Sequence, residues 1–67
     1  MKPVSGKRMC KVLERRGWVH TRTRGSHHHY EREGHPRIIV PVHGNKTLKP
    51  GTQHNIMKAG GLTDDDL

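Results

Sequence analysis

Acidic residues, aromatics and cysteine are all scarce in this chain, and each scarcity excludes something. Six Asp and Glu stand against 13 Lys and Arg, a net charge of +7, and the isoelectric point is near 10.4. Three of the acids, Asp64, Asp65 and Asp66, crowd the end of the chain, so the rest is more basic than the total suggests. That balance calls for a polyanionic partner: nucleic acid first, an anionic membrane surface or an acidic protein second. One Trp and one Tyr are the only large aromatics, which leaves few platforms for stacking bases. An RNP-type aromatic motif, zinc-finger spacing and a Gly-rich phosphate loop are all missing. Cys10 is alone, so no intramolecular disulfide is possible, and a reducing, cytoplasmic setting is expected. No apolar run approaches the roughly 18 residues of a membrane-spanning helix, and neither a signal peptide nor a membrane partner is expected.

Apolar residues are also few, at 28%. A composition this polar permits disorder, but the apolar residues are clustered and periodic, which disordered tails rarely show. The 67 residues are read as one domain, 1–67, with room for a single thin core layer.

Ser5 is a good N-cap, and Met9, Val12 and Leu13 fall at helical spacing behind it. A helix is expected from about residue 6 to 16, ended by Gly17. Residues 18–23 are rich in strand formers, and Gly25-Ser26 turns the chain into a second strand over 28–32. A third strand is expected over 37–43, its core side carrying Ile38, Val40 and Val42. Pro41 cannot donate to a ladder, so this strand belongs at an edge. Pro50 opens a second helix whose inward stripe is Ile56, Met57 and Gly60, with Gln53 as a polar intrusion. Gly60-Gly61 ends it, and Thr63 caps a last turn through the three Asp residues. The fold class is α+β. The order is α-β-β-β-α, a three-stranded antiparallel meander with both helices on one face.

The densest chemistry lies at Arg24-Gly25-Ser26-His27-His28-His29-Tyr30. Histidine is the side chain whose unperturbed pKa lies near neutrality. On a strand, His27 and His29 point to one face and His28 to the other. With Arg22, Arg24 and Arg32 nearby, this is a place to hold a phosphodiester and move a proton. A metal is the alternative reading of His27-x-His29, but a structural zinc would need two more ligands, and only Glu31 has suitable spacing. No cofactor is expected. Ser26 is read as a turn residue that bonds nearby backbone rather than as a nucleophile. Arg22, Arg24, Ser26, Arg32, Lys46 and Lys49 form the expected phosphate-contacting set.

Six segments carry a resemblance across nearly the whole chain. They are Ser5-Gly6-Lys7, Gly17-Trp18-Val19, Gly25-Ser26-His27-His28, Val40-Pro41-Val42-His43-Gly44, Leu48-Lys49-Pro50-Gly51-Thr52 and Ile56-Met57-Lys58-Ala59-Gly60. In this order they resemble the HicA (YcfA-like) toxins. The chain departs from the family pattern at His29 and at Gln53-His54. The resemblance implies a double-stranded-RNA-binding-like fold and a ribonuclease that cuts mRNA without a metal and stops translation. It also implies a HicB-type antitoxin that covers the active site, with the toxin monomeric when free and hetero-oligomeric when bound. The catalytic histidine of the family follows the Gly-Ser turn, which here is His27 or His28. His27 is the first candidate, with Arg24 to stabilise charge on the phosphate. A non-catalytic double-stranded-RNA-binding module is the competing reading, and a metal- or DNA-binding accessory protein the third.

Overall fold

The computed structural model describes residues 1–67. Helix α1 spans Gly6–Arg15, strand β1 Val19–Arg24, strand β2 His27–Glu31, strand β3 Ile38–Pro41 and helix α2 Pro50–Gly60, followed by a 3-10 turn over Asp64–Asp66. The strands form one antiparallel sheet in the order β1-β2-β3. The expected α-β-β-β-α meander is therefore the observed fold, and β3 is an edge strand as Pro41 requires.

Boundaries differ from the sequence expectations by a residue or two. β1 starts at Val19 rather than Trp18, because Trp18 is consumed by the end of α1. Its N–H bonds the Leu13 carbonyl at 3.0 Å, and the Gly17 N–H bonds that of Glu14 at 3.2 Å. Gly17 makes this crossed closure possible at a φ of 91°. β2 starts at His27 rather than His28 and ends at Glu31, because Gly25 and Ser26 alone make the turn and Arg24 pairs directly with His27. β3 covers only Ile38–Pro41 of the expected 37–43. The Val42 N–H still bonds the Ser26 carbonyl at 2.7 Å, in register with the ladder, but Ser26 belongs to the turn and the strand ends at Pro41.

Both helices cover one face of the sheet. Met9, Val12 and Leu13 of α1 and Ile56 and Met57 of α2 pack onto Tyr30, Ile38 and Val40. The Ser5 hydroxyl accepts the Arg8 N–H at 3.1 Å and starts α1. That start is pressed against the end of β3: a Cβ on Gly6 would lie 2.1 Å from the Pro41 carbonyl oxygen. Gln53 is 1% exposed, and its burial has a reason. Its side chain accepts the Val4 N–H at 3.1 Å and donates to the Lys2 carbonyl at 2.6 Å, pinning the first residues beside α2. Val4 thereby joins the core, a role its place in the lead-in does not suggest. At the other end, Arg16 holds Asp66 at 2.6 Å and Arg8 donates to the Leu67 carbonyl at 3.0 Å. No helix is long and apolar enough to cross a membrane.

Candidate functional site

The β1-β2 hairpin sorts the histidines. Arg24 pairs with His27, Thr23 with His28 and Arg22 with His29, after which the register shifts and His20 pairs with Tyr30. The extra residue is Thr21, which bulges out of the ladder. Because side chains alternate, one additional residue turns everything before it to the other face. Without the bulge His20 would stand beside Arg22 on the open side. With it, His20 and Trp18 swing to the covered side.

Three groupings result. The first is a cleft of about 290 Å³ between α1 and the hairpin. His28 enters it half-buried. The His20 ring stacks on that of His28, with centroids 5.2 Å apart and planes 21° apart, and lies 5.3 Å from the Tyr30 ring. His20 Nε2 is 2.7 Å from the Thr23 hydroxyl. Lys7 and Lys11 on successive turns of α1 line the opposite wall, with Cys10, Glu14 and Val42. The Tyr30 hydroxyl donates to Glu14 Oε2 at 2.5 Å. Burial, followed by that carboxylate contact, pushes the phenol far above its ordinary range. Burial likewise raises the Cys10 thiol, so it stays protonated and inert at neutral pH.

The second grouping is the open face of the sheet. His27 is exposed there, paired across the strands with Arg24 and Pro41. His29 lies between Arg22 and Ile39, 7% exposed, with Nδ1 buried and without a hydrogen-bond partner. Burial first, and then Arg22, Arg37, His27 and Arg24, hold His29 below the ordinary imidazole range. Val19 and Ile39, exposed by 61% and 45%, share this face with the arginines.

The third grouping is a cleft of about 310 Å³ at the start of α2, lined by Pro41, His43, Lys46 and Lys49 among others. Pro50 occupies the first turn of α2, and no side chain caps the helix at Lys49.

The expected site residues are thus divided. Lys46 and Lys49 come together, and Pro41 connects their cleft to His27 across the β2-β3 ladder. Arg22 and Arg24 share the open face with His27 and His29. Arg32 does not join them: it lies at the far end of β2, beside Gly17 and Val19. Ser26 is half-buried, and its carbonyl accepts from Val42. No three side chains among His, Cys, Asp and Glu converge as a metal-binding group. Residue patterning alone missed His20, Lys7 and Lys11 as neighbours of His28. The lysines were legible as one exposed side of α1, but their target was not. His20 was hidden by the bulge.

A comparison with curated proteins gave no match. The family described as the HicA toxin of bacterial toxin-antitoxin systems matches residues 6–62, a span that runs from the first residue of α1 past the end of α2 and takes in the hairpin and both lysine-lined clefts. By that match and by its α-β-β-β-α architecture, the chain belongs to the HicA toxin family.

Proposed function

We propose that this toxin is an endoribonuclease that cuts mRNA in the cytoplasm, and that a histidine after the Gly25-Ser26 turn moves the proton. The observation that carries the reading is the placement of His28, half-buried in a cleft whose opposite wall presents Lys7 and Lys11. A phosphodiester seated between the lysines would bring its ribose to the imidazole. The base removes the proton from the 2′-hydroxyl, the 2′-oxygen forms a bond to phosphorus, and the bond from phosphorus to the 5′-oxygen breaks. Cationic side chains stabilise the charge that grows on the phosphate oxygens. Histidine acid-base chemistry of this kind needs no metal. His27, the first candidate by sequence, stands exposed on the other face beside Arg24, where nothing encloses a reacting group. His28 is therefore the stronger choice. Lys46 and Lys49 in the cleft at α2 extend the cationic track for the RNA backbone, with Arg22, Arg24, Ser26 and Arg32 as further contacts.

An antitoxin partner of HicB type fits the open face of the sheet, where Val19 and Ile39 offer apolar anchors between arginines suited to carboxylates. Seated there it would block RNA by covering Arg22 and Arg24 rather than by entering the His28 cleft on the other face. The toxin is expected to be monomeric until this partner binds.

The test is cleavage of RNA by the purified chain in EDTA, together with growth arrest on induction. His28→Ala should lower the rate by about 10²–10⁴-fold, and His27→Ala should be mild. If the parent does not cleave, the nuclease reading fails and a non-catalytic double-stranded-RNA-binding module takes its place; if both variants cleave like the parent, neither histidine moves the proton.

A further inference from the structure

We propose that His20 is a second catalytic residue, paired with His28, so that cleavage uses one imidazole to take a proton and the other to give one. This rests on the nuclease reading above and adds a named residue to it.

Cleavage by 2′-hydroxyl attack needs two proton transfers. One proton leaves the attacking oxygen, and one must reach the 5′-oxygen as its bond to phosphorus breaks. The two oxygens lie on opposite sides of one phosphorus, so the carriers must stand about one phosphate apart. The His20 and His28 rings, 5.2 Å apart and nearly parallel, meet that demand. A proton taken by one ring and a proton given by the other leave the pair reversed, and exchange with water resets it.

The other groups facing the pair are Lys7, Lys11, Glu14, Cys10 and Tyr30, and none suits the second role. The lysines are cations suited to phosphate. Tyr30 is committed to Glu14 at 2.5 Å and is held protonated, and the Cys10 thiol is buried and protonated. His20 is exposed yet held in place: the Thr23 hydroxyl is 2.7 Å from Nε2, and the ring packs against those of both Tyr30 and His28. With Nε2 engaged by the Thr23 hydroxyl, Nε2–H can donate to Oγ1 in both the neutral and the charged ring, and Nδ1 is the nitrogen left to take and give the transferred proton. The Thr21 bulge, which alone turns His20 to this face, leaves the ring where a chemical role is available to it.

The experiment uses the full chain, total cellular RNA and EDTA, with single-turnover rates measured across pH. His20→Phe keeps the stack but carries no proton. It should cost about 10²–10⁴-fold in rate with RNA affinity unchanged, and the bell-shaped pH profile of the parent should lose one limb. His20→Asn keeps a polar contact to Thr23 and guards against a folding defect; it should show the same loss, with a far-ultraviolet circular dichroism spectrum like the parent's. If either folded variant cleaves at the parental rate with both limbs intact while His28→Ala is inactive, His20 is only a packing residue and the pairing is wrong. If His28→Ala also cleaves normally, the base is not His28 and the pairing falls while the chain remains a nuclease; if the parent does not cleave, the nuclease reading falls and takes the pairing with it.

Discussion

His29 is the least comfortable residue of the sheet. Its ring is buried between Arg22 and Ile39, and Nδ1 has no partner. A buried nitrogen without a hydrogen bond costs stability, and the surrounding arginines penalise protonation. The direction of the pH effect follows. In the unfolded chain His29 takes up a proton near its ordinary value of 6.5; in the folded chain it does so only at lower pH. Between these values the unfolded state binds more protons, so stability falls as pH drops below about 6.5. His29→Leu should raise the melting temperature at pH 7 and flatten the decline between pH 6.5 and the folded-state value. An unchanged pH dependence in that variant would assign the acid loss to another group. Asp66 adds a separate decline at lower pH. The Thr63 backbone N–H, and after it Arg16, hold its carboxyl below the ordinary value of 3.8, so its contribution is present above that value and is lost as pH falls through the folded one.

At the scale of elements, α1 depends on one missing atom. A methyl group at residue 6 would stand 2.1 Å from the Pro41 carbonyl oxygen, so Gly6→Ala must push the helix start away from the end of β3. Alanine favours a helix interior by up to about 1 kcal/mol over glycine, but forcing a backbone contact apart costs about 1–3 kcal/mol. A net loss is expected, read as a lower urea midpoint. Because Lys7 follows at once, RNA cleavage should fall by more than the stability loss explains. Much at this scale was legible beforehand. Ser5, Gly17, Pro50 and Gly61 announce the helix ends, and each acts as expected: Ser5 caps α1 through Arg8, and Gly61 closes α2 at a φ of 65°. The open and covered faces of β2 and β3 were legible from alternation alone, including the split between His28 and its two neighbours. What could not be read is whatever depends on a single-residue offset or on a contact distant in sequence. Gln53 looked like an intrusion because its partners, Lys2 and Val4, lie 51 and 49 residues away. The close approach of Gly6 to Pro41 leaves no periodic trace either. His20 was assigned to no site because period-two counting from the Gly25-Ser26 turn puts it on the wrong face.

Across the whole molecule, cations divide by type as well as by place. Lysines line both clefts, at residues 7 and 11 in one and 46 and 49 in the other, whereas Arg22, Arg24 and Arg37 accompany the open face of the sheet. Both large aromatics are buried, so under the proposed function bases would find little to stack on and phosphate contact is expected to dominate RNA affinity. On single-stranded RNA, log affinity should fall against log salt with a slope of about −0.7 per contacted phosphate. Lys7→Ala and Lys49→Ala should each lower that slope by about one contact; slopes identical to the parent's would remove these lysines from the RNA track.

The bulge at Thr21 means that β1 is specified by its length as much as by its residues. The Thr21 hydroxyl makes only a long contact to the His29 carbonyl, at 3.4 Å, so small side chains at residue 21 should pass with little effect. Removing the residue is another matter. The remaining letters of the strand would be unaltered, yet every side chain from Trp18 to His20 would exchange inside for outside. The indole would leave the core, the His20 ring would leave His28, and Val19 would be forced inward from the face it now shares with Ile39. One deletion would therefore damage folding, the cleft and the outer surface together, as no single substitution in β1 does. In a chain of this size, counting is itself a constraint: variation at residue 21 can travel through the alphabet but not through the number of letters.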